Sequence, residues 1–221
     1  MRKIITNTFV TLDGVMQAPG GPQEDVTGNF ELGGWSVNYW DGVMMQTMGE
    51  ASQTPYDLLL GRKTYEIFAA HWPFLSNDPM ADKFNKATKY VATKTLKSPS
   101  WQNTELLQSD VVEKLRHLKS QDGIDLQVHG SGNLIQTLQA ASLIDEYNLW
   151  TFPVVLGRGK RLFEAGAKAG ALKLAASLTS ATGVVMSTYV PAGDVPLGSF
   201  VQAAPSEKEV ERRTKLAREA G

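Results

Sequence analysis

The chain has 221 residues, enough to bury a sizeable core as one domain. Its 22 Lys and Arg against 23 Asp and Glu leave a net charge of −1, which excludes a global field that recruits nucleic acid or an anionic membrane. The absence of cysteine excludes disulfides, thiolate nucleophiles and cysteine-ligated zinc or iron–sulfur sites, and three scattered histidines show no metal-binding spacing.

Residues 1–7 turn polar too early for a signal peptide, and no apolar run reaches the length of a membrane span, so a cytoplasmic protein is expected. Residues 3–12 are rich in Ile, Thr, Phe and Val and predict a first strand, ending in Thr11-Leu12-Asp13-Gly14. A carboxylate at a strand end beside a glycine turn suits either a cleft or the capping of its own turn. Residues 18–34 carry Pro19, Gly20, Gly21, Pro22, Gly28, Gly33 and Gly34, a long loop of the kind that is usually functional or disordered. Residues 36–53 predict a helix, with Tyr39, Val43, Met44 and Met48 near helical spacing, closed by Thr54 and Pro55. Asp41 lies within it, facing solvent or a pocket.

The next stretch organises the rest. Leu58, Leu59 and Leu60 form a short apolar run suited to a strand buried on both faces. Gly61 breaks the run, and a helical pattern from Thr64 continues to His71, ended by Trp72-Pro73. Such a junction leaves backbone N–H groups free at the helix start, where the dipole favours an anion, usually a phosphate. Arg62 and Lys63 add charge, and Thr64 adds a hydroxyl.

Residues 89–93 predict a third strand, with Thr93 and Lys94 at its end. Asp110 with Glu113 three residues on resembles a capping box, opening a helix with a stripe of Val111, Val112, Leu115 and Leu118. Residues 124–129 predict a strand that runs into His129-Gly130-Ser131-Gly132-Asn133 and then a helix face of Leu134, Leu138 and Ala141. This is a second strand–glycine–helix junction. Residues 147–156 predict a further strand. Leu172 to Leu178 and Val184 to Val190 alternate around Thr182-Gly183 as an antiparallel hairpin. Residues 206–217 predict a charged helix whose thin stripe of Val210 and Leu216 docks weakly or on a partner chain.

The expected architecture is therefore α/β, with a mixed, mainly parallel sheet and an antiparallel C-terminal hairpin. A domain over residues 1–193 is followed by an extension over 194–221. Several motifs fail on inspection. Arg62 separates Gly61 from Lys63 where a P-loop needs Gly-Lys, and Ile135 occupies the third glycine position of a dinucleotide fingerprint. Ser131 has glycine directly on both sides, unlike a nucleophile elbow. Two anion-binding turns with a separate cation, Lys94, suit a dinucleotide carrying an added 2′-phosphate.

These residues also resemble a known family. Leu58-Leu59-Leu60-Gly61-Arg62-Lys63-Thr64-Tyr65 is similar to the Gly-Arg-x-Thr segment of dihydrofolate reductases. The closer resemblance is to the reductase domain at the C-terminus of the bifunctional riboflavin-biosynthesis deaminase–reductase and its stand-alone bacterial relatives. It rests on Thr11-Leu12-Asp13-Gly14, His129-Gly130-Ser131-Gly132, Leu143-Ile144-Asp145-Glu146 and Pro153-Val154-Val155-Leu156-Gly157-Arg158-Gly159-Lys160-Arg161-Leu162-Phe163, and spans residues 2–189. The resemblance implies a three-layer dihydrofolate-reductase-like fold, NADPH as cofactor and a homodimer. It implies that Gly61, Arg62, Lys63 and Thr64 hold the cofactor's phosphates, with Thr93 and Lys94 near its 2′-phosphate. His129, Gly130, Ser131, Gly132 and Asn133 are implied near the pyrophosphate, and Asp13 with residues 15–19 near nicotinamide and substrate.

The zinc-binding deaminase half has no counterpart in these residues, and Asp41 is the nearest candidate for the helix carboxylate of dihydrofolate reductases. The expectation is an NADPH-dependent reductase acting on a C=N or C=O group, with Asp13 or else Asp41 as proton donor, no metal, and a small-molecule partner. Folate reduction is the weaker alternative. The rivals are a nucleotide-binding protein without turnover and a phosphotransferase, which would need acidic magnesium ligands that no cluster here supplies.

Overall fold

A computed structural model describes residues 1–200 and 204–219. The chain runs β1 (Ile4–Thr11), α1 (Gly42–Ala51), β2 (Tyr56–Gly61), α2 (Arg62–Ala69), α3 (Pro79–Lys86), β3 (Lys89–Ala92), β4 (Thr104–Leu107), α4 (Val111–Ser120), β5 (Asp125–Val128), α5 (Gly132–Ala140), β6 (Glu146–Phe152), β7 (Leu172–Thr179), β8 (Val185–Pro191) and α6 (Glu207–Glu219). The strands form one sheet in the order β4-β3-β2-β5-β1-β6-β8-β7. Every pairing from β4 across to β6 is parallel, and β6–β8 and β8–β7 are antiparallel. This is the mainly parallel sheet with a C-terminal hairpin that the sequence predicts.

Helices cover the two faces differently. On one face, Ile4, Leu59, Leu126 and Val128 pack in a continuous core with Leu115 of α4 and Leu134, Ile135 and Leu138 of α5. The other face is divided into two cores. Tyr65 of α2 and Phe84 of α3 cover Leu58, Leu60 and Val91. Met44 of α1, with Val15, Phe30 and Trp35 of the long loop, covers Phe152 and Met186. Each of Leu58, Leu59 and Leu60 is 0% exposed, a burial that contributes roughly 1.5–3 kcal/mol per side chain.

Between these two cores the sheet is incompletely covered. Ile5, Asn7, Gln127 and His129 are only half-buried, whereas the residues alternating with them on the opposite face, Ile4, Thr6, Leu126 and Val128, are fully buried. A cleft therefore lies over β5 and β1. At the N-terminal ends of the strands, buried Arg2 pairs with Asp57, and Arg2 Nε donates to the Ile124 carbonyl at 2.5 Å. The other Asp57 oxygen accepts from Thr88 N at 3.0 Å. Lys89 is also buried; its Nζ donates to the carbonyls of Phe84, Asn85 and Ala87 at 2.8–3.0 Å. Burial pushes its pKa down to about 8.

Five sequence expectations change. The predicted helix over 36–53 breaks into a 3₁₀ turn, Val37–Tyr39, and α1, because Trp40 is extended and Asp41 is an extended N-cap rather than a helical residue. Asp110 does not cap α4: its backbone is left-handed (φ 49°), not the extended form from which a cap oxygen reaches the first-turn amides. Helix α3 and strand β4 were not predicted, although Asp78-Pro79 is a good helix start, with Asp78 accepting from Met80 N and Ala81 N. Strand β6 stops at Phe152, one residue before Pro153, rather than continuing to Leu156. The alternation in β7 does not bury one side, since all eight of its residues are exposed. Helix α6 forms, and all its residues except Glu209 are exposed. Residues 201–203 and 220–221 of the predicted extension lie outside the described residues.

Candidate active site

The two glycine junctions come together. β2 and β5 are neighbours, and their onward connections run in opposite directions, β2 through α2 to β3 and β5 through α5 to β6. That reversal makes a crevice at the carboxyl ends of the strands, where ligands bind in open α/β sheets. Gly61 N donates to the Gly130 carbonyl at 3.1 Å. A Cβ on Gly61 would collide with Ser131 Oγ, and one on Gly130 (φ +144°) would lie 2.8 Å from Thr64 Oγ1. The Gly130–Ser131 peptide bond is cis. Only glycine lets the two turns approach this closely.

Helix α2 begins at Arg62, two residues earlier than its sequence pattern suggests, so Arg62, Lys63 and Thr64 form its first turn. Helix α5 begins at Gly132 with Ser131 as N-cap and Asn133 in the first turn. Neither N-cap side chain, and no other among the described residues, caps these helices, so the first-turn amides of both are left for another acceptor. The register Gly61↔Ala92 sets Thr93 and Lys94 at the same end of the sheet as Arg62 and Lys63. Arg62 is held by Glu66, with 2.8 and 2.9 Å contacts to its two oxygens. Thr93 is buried, and its hydroxyl accepts from Thr95 N and Leu96 N, so it shapes the turn that presents exposed Lys94.

Both carboxylates expected to donate a proton accept backbone hydrogen bonds from distant parts of the chain. Asp13 accepts from Thr11 Oγ1 at 2.6 Å, Leu156 N at 3.2 Å and Gly157 N at 2.9 Å, with Arg161 at 3.4 Å. The Thr11 hydroxyl, aided by those amides, holds its pKa down to about 2. Asp13 thereby ties the end of β1 to the loop after β6. Asp41 accepts from Met44 N at 2.9 Å and Ala181 N at 2.8 Å, which lowers its pKa as well and makes it a clasp between α1 and the β7–β8 turn. His129 sits just beyond β5, its ring 5.6–6.5 Å from those of Tyr56, Phe68 and Phe84. Burial pushes its pKa down to about 4, so it is neutral at pH 7, and its Nε2 has no partner among the described residues.

The long loop is ordered. Buried Gln17 donates to the carbonyls of Asp25 and Thr27 and accepts from Lys160 N at 3.0 Å, while Lys160 pairs with Asp25. A shallow groove of about 470 Å³ between this loop and residues 158–160 contains neither glycine junction in its lining. The polar cleft floor was not predicted. Its signal was Asn7, an amide between Ile5 and Phe9 on one face of β1. Among the described residues there is no cluster of three metal-binding side chains, and no helix is long and apolar enough to cross a membrane.

Residues 2–186 match the RibD C-terminal domain family. The chain belongs to that family. It is 28% identical over 193 residues to the uncharacterized protein YyaP of Bacillus subtilis, covering 85% of this chain and 94% of that one. A putative riboflavin biosynthesis protein from Shewanella sp. PV-4 superposes with a TM-score of 0.61 at 20% identity, covering 87% of this chain and 99% of that one. A dihydrofolate reductase from Enterococcus faecalis, complexed with NADP(H) and RAB-propyl, gives 0.53 at 15% identity, with coverages of 86% and 96%. The fold is thus dihydrofolate-reductase-like, as the sequence resemblance implies.

Proposed function

We propose that this member of the RibD C-terminal domain family is a cytoplasmic NADPH-dependent reductase of a C=N or C=O group in a small heterocyclic or sugar-linked substrate. The closest activity in kind is the 5-amino-6-(5-phosphoribosylamino)uracil reductase step of riboflavin biosynthesis. One observation carries the reading: two uncapped helix starts meet across the Gly61–Gly130 contact, with cations at the outer edge of the same crevice. The amides of residues 62–64 and 132–134 fit the two linked phosphates of a dinucleotide, and Lys63 and Lys94 fit a third phosphate. NADPH would supply the hydride; the chain's own residues bind and orient it beside the cleft. With Asp13 and Asp41 engaged and His129 neutral, the proton comes from water in the cleft. Nothing on α1 places a free carboxylate there for folate. Loss of NADPH absorbance on addition of a pyrimidine substrate is the expected result, and NADPH binding without oxidation would favour a binding protein without turnover.

Lys63 and Lys94 have no ion-pair or hydrogen-bond partner among the described residues, whereas Arg62 is engaged by Glu66. Lys94→Ala should therefore weaken NADPH about 10- to 100-fold, the value of one charge-assisted bond of ~1.5–3 kcal/mol, and leave NADH unchanged. Equal weakening of both cofactors, measured by calorimetric titration, overturns the 2′-phosphate assignment.

We propose a homodimer formed through β7. That strand is one of the two edges of the sheet and exposes Leu172, Leu174 and Leu178 by 39–50%, a surface that proteins ordinarily protect from adventitious pairing. Sedimentation of the wild type should give a dimer and Leu174→Lys a monomer. A monomeric wild type at micromolar concentration removes the proposal.

A further inference from the structure

The floor of the cleft carries a polar chain that runs in one direction. A carboxylate oxygen of Glu146 accepts from Asn148 Nδ2 at 3.1 Å. Since a carboxylate only accepts, this fixes which end of the Asn148 amide is nitrogen. The Thr188 hydroxyl donates to Asn148 Oδ1 at 2.7 Å, which agrees with that orientation. The second hydrogen on Asn148 Nδ2 then goes to Asn7 Oδ1 at 3.2 Å. Asn7 is thereby oriented too, with its oxygen occupied and its Nδ2 left buried and without a partner among the described residues.

An unpaired buried amide is costly, about 1–3 kcal/mol, and this one lies on the half-covered strip of sheet, level with the orphaned Nε2 of His129 through the register Thr6↔Val128. Aromatic rings flank the strip. Phe9 lies 5.6 Å from Trp40 and 5.3 Å from Trp150 on one side, and Phe68 lies 6.0 Å from His129 on the other. Flat apolar walls with a small number of fixed polar groups are the make-up of a site for a planar ring.

We propose that Asn7 is a specificity-determining residue of the reductase, oriented by Asn148 to present a donor only, and that it selects a planar substrate offering a carbonyl oxygen at that edge. This rests on the reading of the cleft as the substrate site. A substrate presenting amino groups there would set donor against donor and be rejected.

The matched probes are lumazine and 2,4-diaminopteridine, which share a ring and differ in carrying carbonyl or amino groups. Calorimetric titration of the wild type, with and without NADPH, should show lumazine bound at least tenfold more tightly. Asn7→Asp keeps the shape and replaces the donor by an acceptor, so the preference should reverse. Asn7→Leu should abolish it. An unchanged ratio in Asn7→Asp, or no lumazine binding to the wild type, overturns the proposal and leaves Asn7 Nδ2 to an internal water. NADPH titration of the same samples separates the two readings: cofactor binding with no ring preference sinks only the role of Asn7, while a wild type that binds no NADPH sinks the reductase.

Discussion

Gly61→Ala should lower NADPH affinity about a hundredfold, or ~2.7 kcal/mol, one to two charge-assisted bonds. The added methyl meets Ser131 Oγ and lies 3.1 Å from both Ser131 Cβ and Ser131 N. A hydroxyl alone could rotate away, but backbone cannot. Ser131 is the N-cap of α5, so relief of the clash displaces the start of that helix from the start of α2. Overpacking of this kind also costs about 1–3 kcal/mol of stability. The double variant Gly61→Ala/Ser131→Gly removes the hydroxymethyl and should regain part of both losses. Full NADPH affinity in the single variant would show that the cofactor does not span the two turns.

Asp57→Ala should cost about 3–5 kcal/mol of folding free energy, the penalty for leaving one partner of a buried ion pair alone. Arg2 is 5% exposed and Asp57 8%, so water cannot replace the lost carboxylate. Thr88 N loses its acceptor at the same time. In urea the midpoint should fall with an unchanged slope, because the surface exposed on unfolding is the same. Arg2→Met with Asp57→Leu should recover most of the loss, since apolar replacement of a whole buried pair is often neutral. A loss below about 1 kcal/mol would place the pair with exposed salt bridges instead. Because the pair joins strand ends far from the glycine turns, NADPH affinity of the folded variant should not change.

The parts of this protein legible in its sequence were those set by neighbours along the chain. The unbroken run Leu58–Leu60 reads as a doubly covered strand because burial on both faces tolerates no polar alternation. Each glycine junction reads as an anion site because its free amides belong to one turn of backbone. Local signals also misled. Asp110 and Glu113 have capping-box spacing, yet the left-handed backbone at Asp110 denies the geometry, and the alternation in β7 marks an edge strand whose eight residues are all exposed. Asp13 and Asp41 could not be assigned from sequence, since their partners Leu156, Gly157 and Ala181 lie more than a hundred residues away. Those contacts make both candidate acids clasps between distant loops. The cleft itself is a property of sheet order: β5 inserts between β2 and β1, the helices of one face part over it, and Asn7, His129 and Asn148 meet on its floor. Spacing along a chain encodes helices, strands and turns. Which polar side chains are left facing one another without a partner is decided only when distant strands pair.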